Sequence, residues 1–162
     1  MASKNVKKLV YHSALAAMII VATAFMKIAV PVYGGYIHMG DGFIFTAAFL
    51  LGPMAFVPAA IGSCIADLIL GYALYAPATF VIKGLMGLFA GFALKDGNKP
   101  ARNLVVFILA EIIMIAGYFF YELLIYDGIA PALLGIAYNG IQGLCGVVMG
   151  MLFIPVAKRI KL

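Results

Sequence analysis

Long apolar runs, broken at short intervals by glycine, proline or charged residues, make up most of this chain. Residues 42–66, for example, contain no charged side chain. About 20 apolar residues in a helix cross the hydrocarbon core of a bilayer. The pattern predicts an all-α polytopic membrane protein, a single domain over residues 1–162, with six transmembrane helices at about 9–30, 40–52, 54–72, 77–94, 103–126 and 132–157.

Basic residues decide how the second and third helices are divided. They cluster at Lys4/Lys7/Lys8, Lys95/Lys99/Arg102 and Lys158/Arg159/Lys161. Cytoplasmic ends of membrane spans are rich in Lys and Arg. One long helix kinked at Pro53 and Pro58 would place the second cluster and the C-terminus outside the cell. A break at Gly52-Pro53 places all three clusters on one side, so we expect that break and cytoplasmic N- and C-termini.

Composition supports the membrane assignment and narrows the possible partners. The chain is 66% hydrophobic and 10% charged, whereas about a quarter of the residues of a soluble domain are charged. The net charge of +5 comes from basic clusters beside apolar runs, which indicates orientation in a lipid bilayer and no nucleic-acid binding. The first apolar run is too long for a signal peptide, so we expect a retained helix in a multi-pass protein of the prokaryotic cell membrane.

Polar and ionisable side chains gather near one end of the predicted bundle. In the predicted topology Asp67 lies about 7–8 Å and Lys83 about 9 Å from the outer ends of their helices. Charged groups at membrane depth face the protein interior, pair with one another or line a wet cavity. We therefore expect a substrate site at the outer end, formed by Tyr36, His38, Asp41, Asp67, Lys83, Tyr118, Glu122, Tyr138, Asn139 and Gln142.

Helical spacing places some of these groups on common faces. Glu111, Tyr118 and Glu122 are seven and four residues apart, so they form one stripe along the fifth helix. Glu111 is the member nearer the middle of the membrane. Tyr138 and Gln142 are four apart on the sixth helix, and the two stripes could face each other.

Structural roles compete with ligand binding at several positions. Asp67 and Lys83 could pair and join the third helix to the fourth. His38 could be a solvated loop residue, and Asn139 and Gln142 could hydrogen-bond between helices. The tyrosines of the outer segments could stack on a ligand or form an interfacial belt; they are Tyr33, Tyr36, Tyr72 and Tyr75.

Sequence motifs for catalysis and nucleotide binding are absent. The chain has no Gly-x-x-x-x-Gly-Lys-Ser/Thr loop, no His-Glu-x-x-His and no Gly-x-Ser-x-Gly. Its cysteines, Cys64 and Cys145, are isolated in apolar segments. We therefore expect neither enzymatic activity nor a bound cofactor or metal ion.

Several motifs together resemble one transporter family. Tyr36-Ile-His-Met-Gly-Asp41, Leu51-Gly-Pro53, the segment from Gly62 to Tyr72 and the segment from Tyr75 to Gly84 are similar to the substrate-binding S components of energy-coupling factor (ECF) vitamin transporters. The nearest branch is the one for riboflavin, hydroxymethylpyrimidine or pyridoxine.

The resemblance implies a vitamin-binding subunit that works with a transmembrane coupling subunit and two cytoplasmic ATPases. It also implies that an Ala-x-x-x-Ala surface on the first helix contacts the coupling subunit. Here that surface reads Ser13-x-x-x-Ala17, with Ala14 beside it. This departure leaves open which residues dock.

The expected ligand is a small heteroaromatic vitamin or precursor, with pyridoxine or hydroxymethylpyrimidine ahead of the bulkier riboflavin. Tyrosines would stack on its ring, and polar side chains would bind its hydroxyls and ring nitrogens. Two alternatives belong to other classes. One is an autonomous proton-coupled carrier that uses Glu111, Glu122 or Asp67 as a relay, and the other is a membrane enzyme with His38 and Asp41 as acid and base.

Overall fold

Helices account for nearly all of the described chain. The computed structural model describes residues 4–30, 35–94 and 99–159. Its elements are α1 (Lys4–Phe25), β1 (Lys27–Val30), β2 (Gly35–His38), α2 (Gly40–Leu51), a 3₁₀ turn (Gly52–Ala55), α3 (Phe56–Leu70), α4 (Ala76–Ala93), α5 (Pro100–Ile125) and α6 (Ile129–Ala157). Tyr33, Lys95 and Lys161, for which the sequence analysis made predictions, lie outside the described residues.

Five stretches of the described residues are long and apolar enough to cross a membrane. They are Val6–Phe25, Gly40–Leu70, Ala76–Ala93, Pro100–Ile125 and Ile129–Ala157. The all-helical, multi-pass architecture predicted from the sequence is therefore confirmed. The second stretch contains both α2 and α3, and α2 alone has 12 residues, too few to span a bilayer unaided. Six crossings and cytoplasmic termini remain predictions.

Contacts with α4 show how the chain turns between α2 and α3. Asp41, at the start of α2, pairs with Lys83 of α4. Gly52, just after the end of α2, lies against Gly91 of the same helix. α2 therefore runs in the direction of α4. Gly52 has a φ of 59°, which glycine adopts without strain, and the chain reverses there so that Asp67, near the end of α3, is again beside the sheet.

The first helix ends earlier than the sequence predicts. A helix over residues 9–30 was expected, but α1 ends at Phe25, and Lys27–Val30 forms β1. β1 pairs antiparallel with β2, and Lys27 lies opposite His38. The prediction was wrong because apolar composition alone does not distinguish a strand from the last turns of a helix. β2 lies in the segment between the first two predicted helices, and the hairpin lies over one end of the bundle.

Below the polar groups, the interior of the bundle is apolar and closely packed. The rings of Phe45 and Phe107 are fully buried and stack with centroids 4.1 Å apart. Gly150 of α6 allows this approach, because a Cβ atom there would lie 2.7 Å from Phe45 and 3.0 Å from Phe107. The polar cavity lies instead at the end of the bundle that carries the hairpin, which we call the hairpin end.

Candidate functional site

A polar and aromatic cavity lies at the hairpin end. Its volume is about 50 Å³, and β2, α3, α4, α5 and α6 all contribute to its wall. The lining residues are Tyr36, His38, Asp67, Tyr72, Tyr75, Thr79, Tyr118, Glu122, Asn139 and Gln142. Seven of the ten residues proposed from the sequence are among them, namely Tyr36, His38, Asp67, Tyr118, Glu122, Asn139 and Gln142. Their role in binding remains a prediction.

Tyr36 connects the hairpin to α3. Its hydroxyl donates a hydrogen bond to Oδ1 of Asp67, and its ring lies 4.6 Å from the ring of Tyr72. Burial, and then the nearby Asp67 charge, raise the pKa of Tyr36. The phenol therefore stays protonated and acts as a donor, and the hairpin is held over the cavity by a polar contact.

His38 is buried and neutral. Its side chain is 6% exposed, its main-chain N–H donates to Oε1 of Gln142 at 3.3 Å, and its Nδ1 accepts from the Gly40 N–H at 3.0 Å. Burial lowers the pKa of His38 to about 4, although Asp41 opposes the shift. A neutral ring that accepts at Nδ1 carries its proton on Nε2. The interpretation of His38 as a solvated loop residue was therefore wrong.

A buried ion pair lies next to the cavity rather than in its wall. Nζ of Lys83 is 2.6 Å from Oδ1 of Asp41, and both side chains are fully buried. Gln142 donates from Nε2 to Oδ2 of Asp41 at 2.8 Å, and Lys83 also contacts Sδ of Met114 at 2.9 Å. The alternative that Asp67 pairs with Lys83 was wrong, because α2 brings Asp41 to the lysine instead.

Glu122 has much weaker contacts than Asp41. The Tyr75 hydroxyl reaches Oε1 of Glu122 at 3.5 Å, the limit for a hydrogen bond, and it lies closer to the Tyr126 hydroxyl, at 3.0 Å. Oε2 of Glu122 and Oδ2 of Asp67 are buried without a hydrogen-bond partner among the residues that the structure describes. Two acceptor atoms of the lining residues are therefore unsatisfied.

Three lining residues were missing from the predicted site. Tyr72 and Tyr75 were considered only as stacking or belt residues. Thr79, which lies 2.9 Å from the Tyr118 hydroxyl, was not considered; its position one turn before Lys83 on α4 was the available signal. Conversely, Tyr138 is half-buried and does not line the cavity, although it lies one turn before Gln142.

Glu111 is buried away from the cavity. Its carboxylate is packed against Gly143 and Gly146 of α6, close to Asp41. Both of its oxygens are without a hydrogen-bond partner among the described residues. The predicted stripe of Glu111, Tyr118 and Glu122 is buried throughout, but only its last two members reach the cavity.

The small residues of α1 lie on its outer surface. Ser13, Ala14 and Ala17 are exposed, whereas Leu15 and Ile19 on the opposite face are buried. An interface role for the exposed face remains a prediction. Among the described residues there is no group of three or more His, Cys, Asp or Glu side chains that could hold a metal ion.

Known proteins resemble this chain over nearly its whole length. The S component of a bacterial ECF transporter has a solved structure that matches with a TM-score of 0.75 and 22% identity, covering 98% of this chain and 100% of that one. The thiamine precursor transporter HmpT of Lactococcus lactis subsp. cremoris (strain MG1363) is 28% identical over 161 residues, 98% of this chain and 92% of HmpT.

Two further comparisons, like the one with HmpT, are based on sequence. An uncharacterized protein of Pyrococcus woesei is 32% identical over 131 residues, 80% of this chain and 87% of that protein. The family model for the S component of the ECF-type riboflavin transporter matches residues 3–159. The family consists of substrate-binding transporter subunits, which confirms both the resemblance and the expectation that the chain is not an enzyme. The chain therefore belongs to the S components of ECF-type riboflavin transporters.

Proposed function

We propose that this chain captures a small heteroaromatic vitamin or precursor at the outer face of the cell membrane for an ATP-driven ECF importer. Pyridoxine and hydroxymethylpyrimidine are the preferred ligands, and riboflavin comes second. The observation that carries the proposal is the cavity at the hairpin end, where aromatic rings and unsatisfied polar atoms meet. Ligand sites combine apolar and aromatic walls with a few placed polar groups in this way.

The wall of the cavity suits a flat, polar ring. Tyr36, Tyr72 and Tyr75 offer aromatic faces, and Asn139 and Gln142 offer amide groups. Aromatic stacking adds about 0.5–1.5 kcal/mol per pair beyond the burial of area. A cavity of about 50 Å³ favours a single-ring ligand over the larger riboflavin, and side chains must move apart for either to enter.

Charge supports an outward-facing cavity. Most of the described basic residues lie at the beginning of α1, around the beginning of α5 and after the end of α6, the helix ends opposite to the hairpin; they are Lys7, Lys8, Lys99, Arg102, Lys158 and Arg159. Lys27, in β1, is the exposed exception at the hairpin end. Lys and Arg mark the cytoplasmic side. With six crossings, this distribution supports cytoplasmic termini and a hairpin outside the cell.

Energy for uptake would come from partner subunits. The sequence has no phosphate-binding loop, so two ATPases and a transmembrane coupling subunit would drive release into the cell. The exposed small residues Ser13, Ala14 and Ala17 allow close approach of another helix. They are the proposed contact with the coupling subunit.

Calorimetry on the purified chain tests the ligand assignment directly. Pyridoxine, hydroxymethylpyrimidine and riboflavin are titrated into protein in detergent, and small molecules that co-purify are identified by mass spectrometry. Saturable binding of one of the three supports the proposal. Absence of binding by all three, with an unrelated compound found by mass spectrometry, overturns the ligand assignment.

Glu111 favours a second candidate function, an autonomous proton-coupled carrier. It is a buried carboxyl group of a membrane-spanning helix without a partner among the described residues, and such groups can carry protons. Proteoliposomes with this chain alone separate the two functions. Uptake driven by a proton gradient supports the carrier, whereas uptake only with added ATPase and coupling subunits supports the importer.

A further inference from the structure

The ionisable side chains that line the cavity are acidic or neutral. Asp67 and Glu122 are the acids, and no Lys or Arg is among the described lining residues. Burial keeps His38 neutral, because its pKa is lowered to about 4. Residues 31–34, which connect the two strands of the hairpin, contain no charged residue in the sequence.

Among the described residues, no cation forms an ion pair with either of these two acids. Lys83 is bonded to Asp41, so its charge is already matched. Lys27 is exposed and lies over the Tyr36 ring, 6.0 Å from its centroid, rather than in the cavity wall. Asp67 and Glu122 are 4% and 1% exposed, so solvent contributes little to their hydration.

The two acids also leave acceptor atoms unused. Oδ2 of Asp67 and Oε2 of Glu122 have no hydrogen-bond partner among the described residues. The acids come from different helices, α3 and α5, which both pack against α4. A buried carboxylate oxygen without a donor is unfavourable. A ligand that donates a hydrogen bond to each of the two oxygens would remove this cost. The two acids therefore favour ligands with two donor groups.

We propose that Asp67 and Glu122 determine specificity by accepting hydrogen bonds from two donor groups of a neutral or cationic heteroaromatic ligand, and that they exclude its phosphate esters. The inference rests on the proposed function and narrows the substrate class. An amino- and hydroxymethyl-substituted pyrimidine has the required N–H and O–H donors. A phosphate monoester carries a charge of about −1.5 to −2 at pH 7 and three acceptor oxygens, for which the described wall of the cavity offers no Lys or Arg.

Calorimetry with matched ligands tests the exclusion. Hydroxymethylpyrimidine and pyridoxine are titrated beside their phosphate monoesters into the wild-type chain in detergent. We expect each ester to bind at least about 100-fold more weakly than its parent, because a buried phosphate without a cationic partner loses its hydration uncompensated, and no Lys or Arg is among the described lining residues. Equal affinity of ester and parent would overturn the inference while leaving the proposed function intact.

Two isosteric variants, Asp67→Asn and Glu122→Gln, test the roles of the acids. Each should weaken binding of hydroxymethylpyrimidine by about 10- to 100-fold, because an amide N–H replaces the acceptor oxygen and leaves the donor of the ligand without a partner. Each should also reduce the discrimination against the ester. Asp127→Asn is the matched control, because Asp127 is exposed just beyond α5, and its affinities should equal those of the wild type. Unchanged affinities in both lining variants would contradict the proposal.

The melting temperature of the ligand-free chain distinguishes a failure of this inference from a failure of the proposed function. If the acids are unsatisfied in the empty site, Glu122→Gln should leave the melting temperature of the ligand-free chain unchanged or raise it by a few degrees. A clear decrease would mean that the carboxylate has a structural partner, and it would overturn the inference whichever ligand binds. Failure of every ligand to bind, with a raised melting temperature in Glu122→Gln, would count against the proposed ligands and not against the unsatisfied acids.

Discussion

Two groups of buried acids near the hairpin end differ in how fully their carboxylate oxygens are hydrogen-bonded. In the ion-pair cluster, Asp41 bonds to Lys83 at 2.6 Å and accepts from Gln142 at 2.8 Å. In the cavity, Asp67 and Glu122 each keep an oxygen without a described partner. Glu111 also lacks a described hydrogen-bond partner but does not line the cavity. An unsatisfied acid is therefore a candidate for ligand binding only where it also lines a cavity, as Asp67 and Glu122 do.

Breaking the ion pair should produce the largest effect. Lys83→Met leaves Asp41 buried and unpaired, and removing one partner of a buried pair destabilises a protein by about 3–5 kcal/mol. Thermal melting followed by circular dichroism in detergent measures the loss. The double variant Asp41→Asn/Lys83→Met should recover most of it. Lys27→Met, which removes an exposed lysine, should change stability by less than about 1 kcal/mol, and an equally large loss there would contradict the comparison.

Acidification should weaken the turn from β2 into α2, because protonation of the His38 ring removes the Nδ1 acceptor of the Gly40 N–H. The pKa of His38 falls from its ordinary 6.5 to about 4 in the folded chain. Between these values the unfolded chain binds more protons than the folded chain, so stability decreases as pH falls from 6.5 to 4, by at most about 3 kcal/mol.

Melting temperatures measured across that pH window check this expectation. His38→Asn removes the titrating group, and its melting temperature should depend less on pH than that of the wild type. If both proteins lose the same stability between pH 6.5 and 4, another group is responsible, and the His38 ring does not set the pH dependence.

A methyl group placed against the ion-pair cluster should have a smaller effect. A Cβ atom at Gly146 would lie 2.8 Å from Cβ of Asp41 and closer still to the Glu111 carboxylate. Gly146→Ala should therefore destabilise the chain by about 1–3 kcal/mol through overpacking. Gly140→Ala on the same helix has nothing within 4 Å of the new atom, so its melting temperature should be unchanged or raised. A larger loss of stability in Gly140→Ala than in Gly146→Ala would contradict the packing described here.

The smallest effect should come from a neutral hydrogen bond in the cavity wall. Thr79→Val removes the hydroxyl that lies 2.9 Å from the Tyr118 hydroxyl, a loss of about 0.5–1.5 kcal/mol. Thr79→Ser keeps the hydroxyl and should retain more stability in the same melting assay. A loss of stability as large as that of Lys83→Met would mean that the cavity wall and the ion-pair cluster contribute equally to the stability of the fold.

Local patterns predicted the helical part of the fold well. Glycine and proline at Gly52-Pro53 indicated the break between α2 and α3, and the structure has a 3₁₀ turn there. Spacing on the fifth helix correctly placed Tyr118 and Glu122 on one buried face. The end of α1 was missed, because the strand pairing of Lys27–Val30 depends on a second segment that a local pattern does not identify.

The amino-acid sequence by itself determined the membrane class, the approximate helices and which polar side chains would be drawn inward, because hydropathy and helical period are local properties. Tertiary structure alone decided which acid receives Lys83 and which acids keep an oxygen without a described hydrogen-bond partner. Asp67 and Asp41 are both acids near the ends of neighbouring predicted helices, and the sequence treats them alike. The packing of α2 along α4 brings only Asp41 within 2.6 Å of the lysine, since partner choice depends on distances between helices.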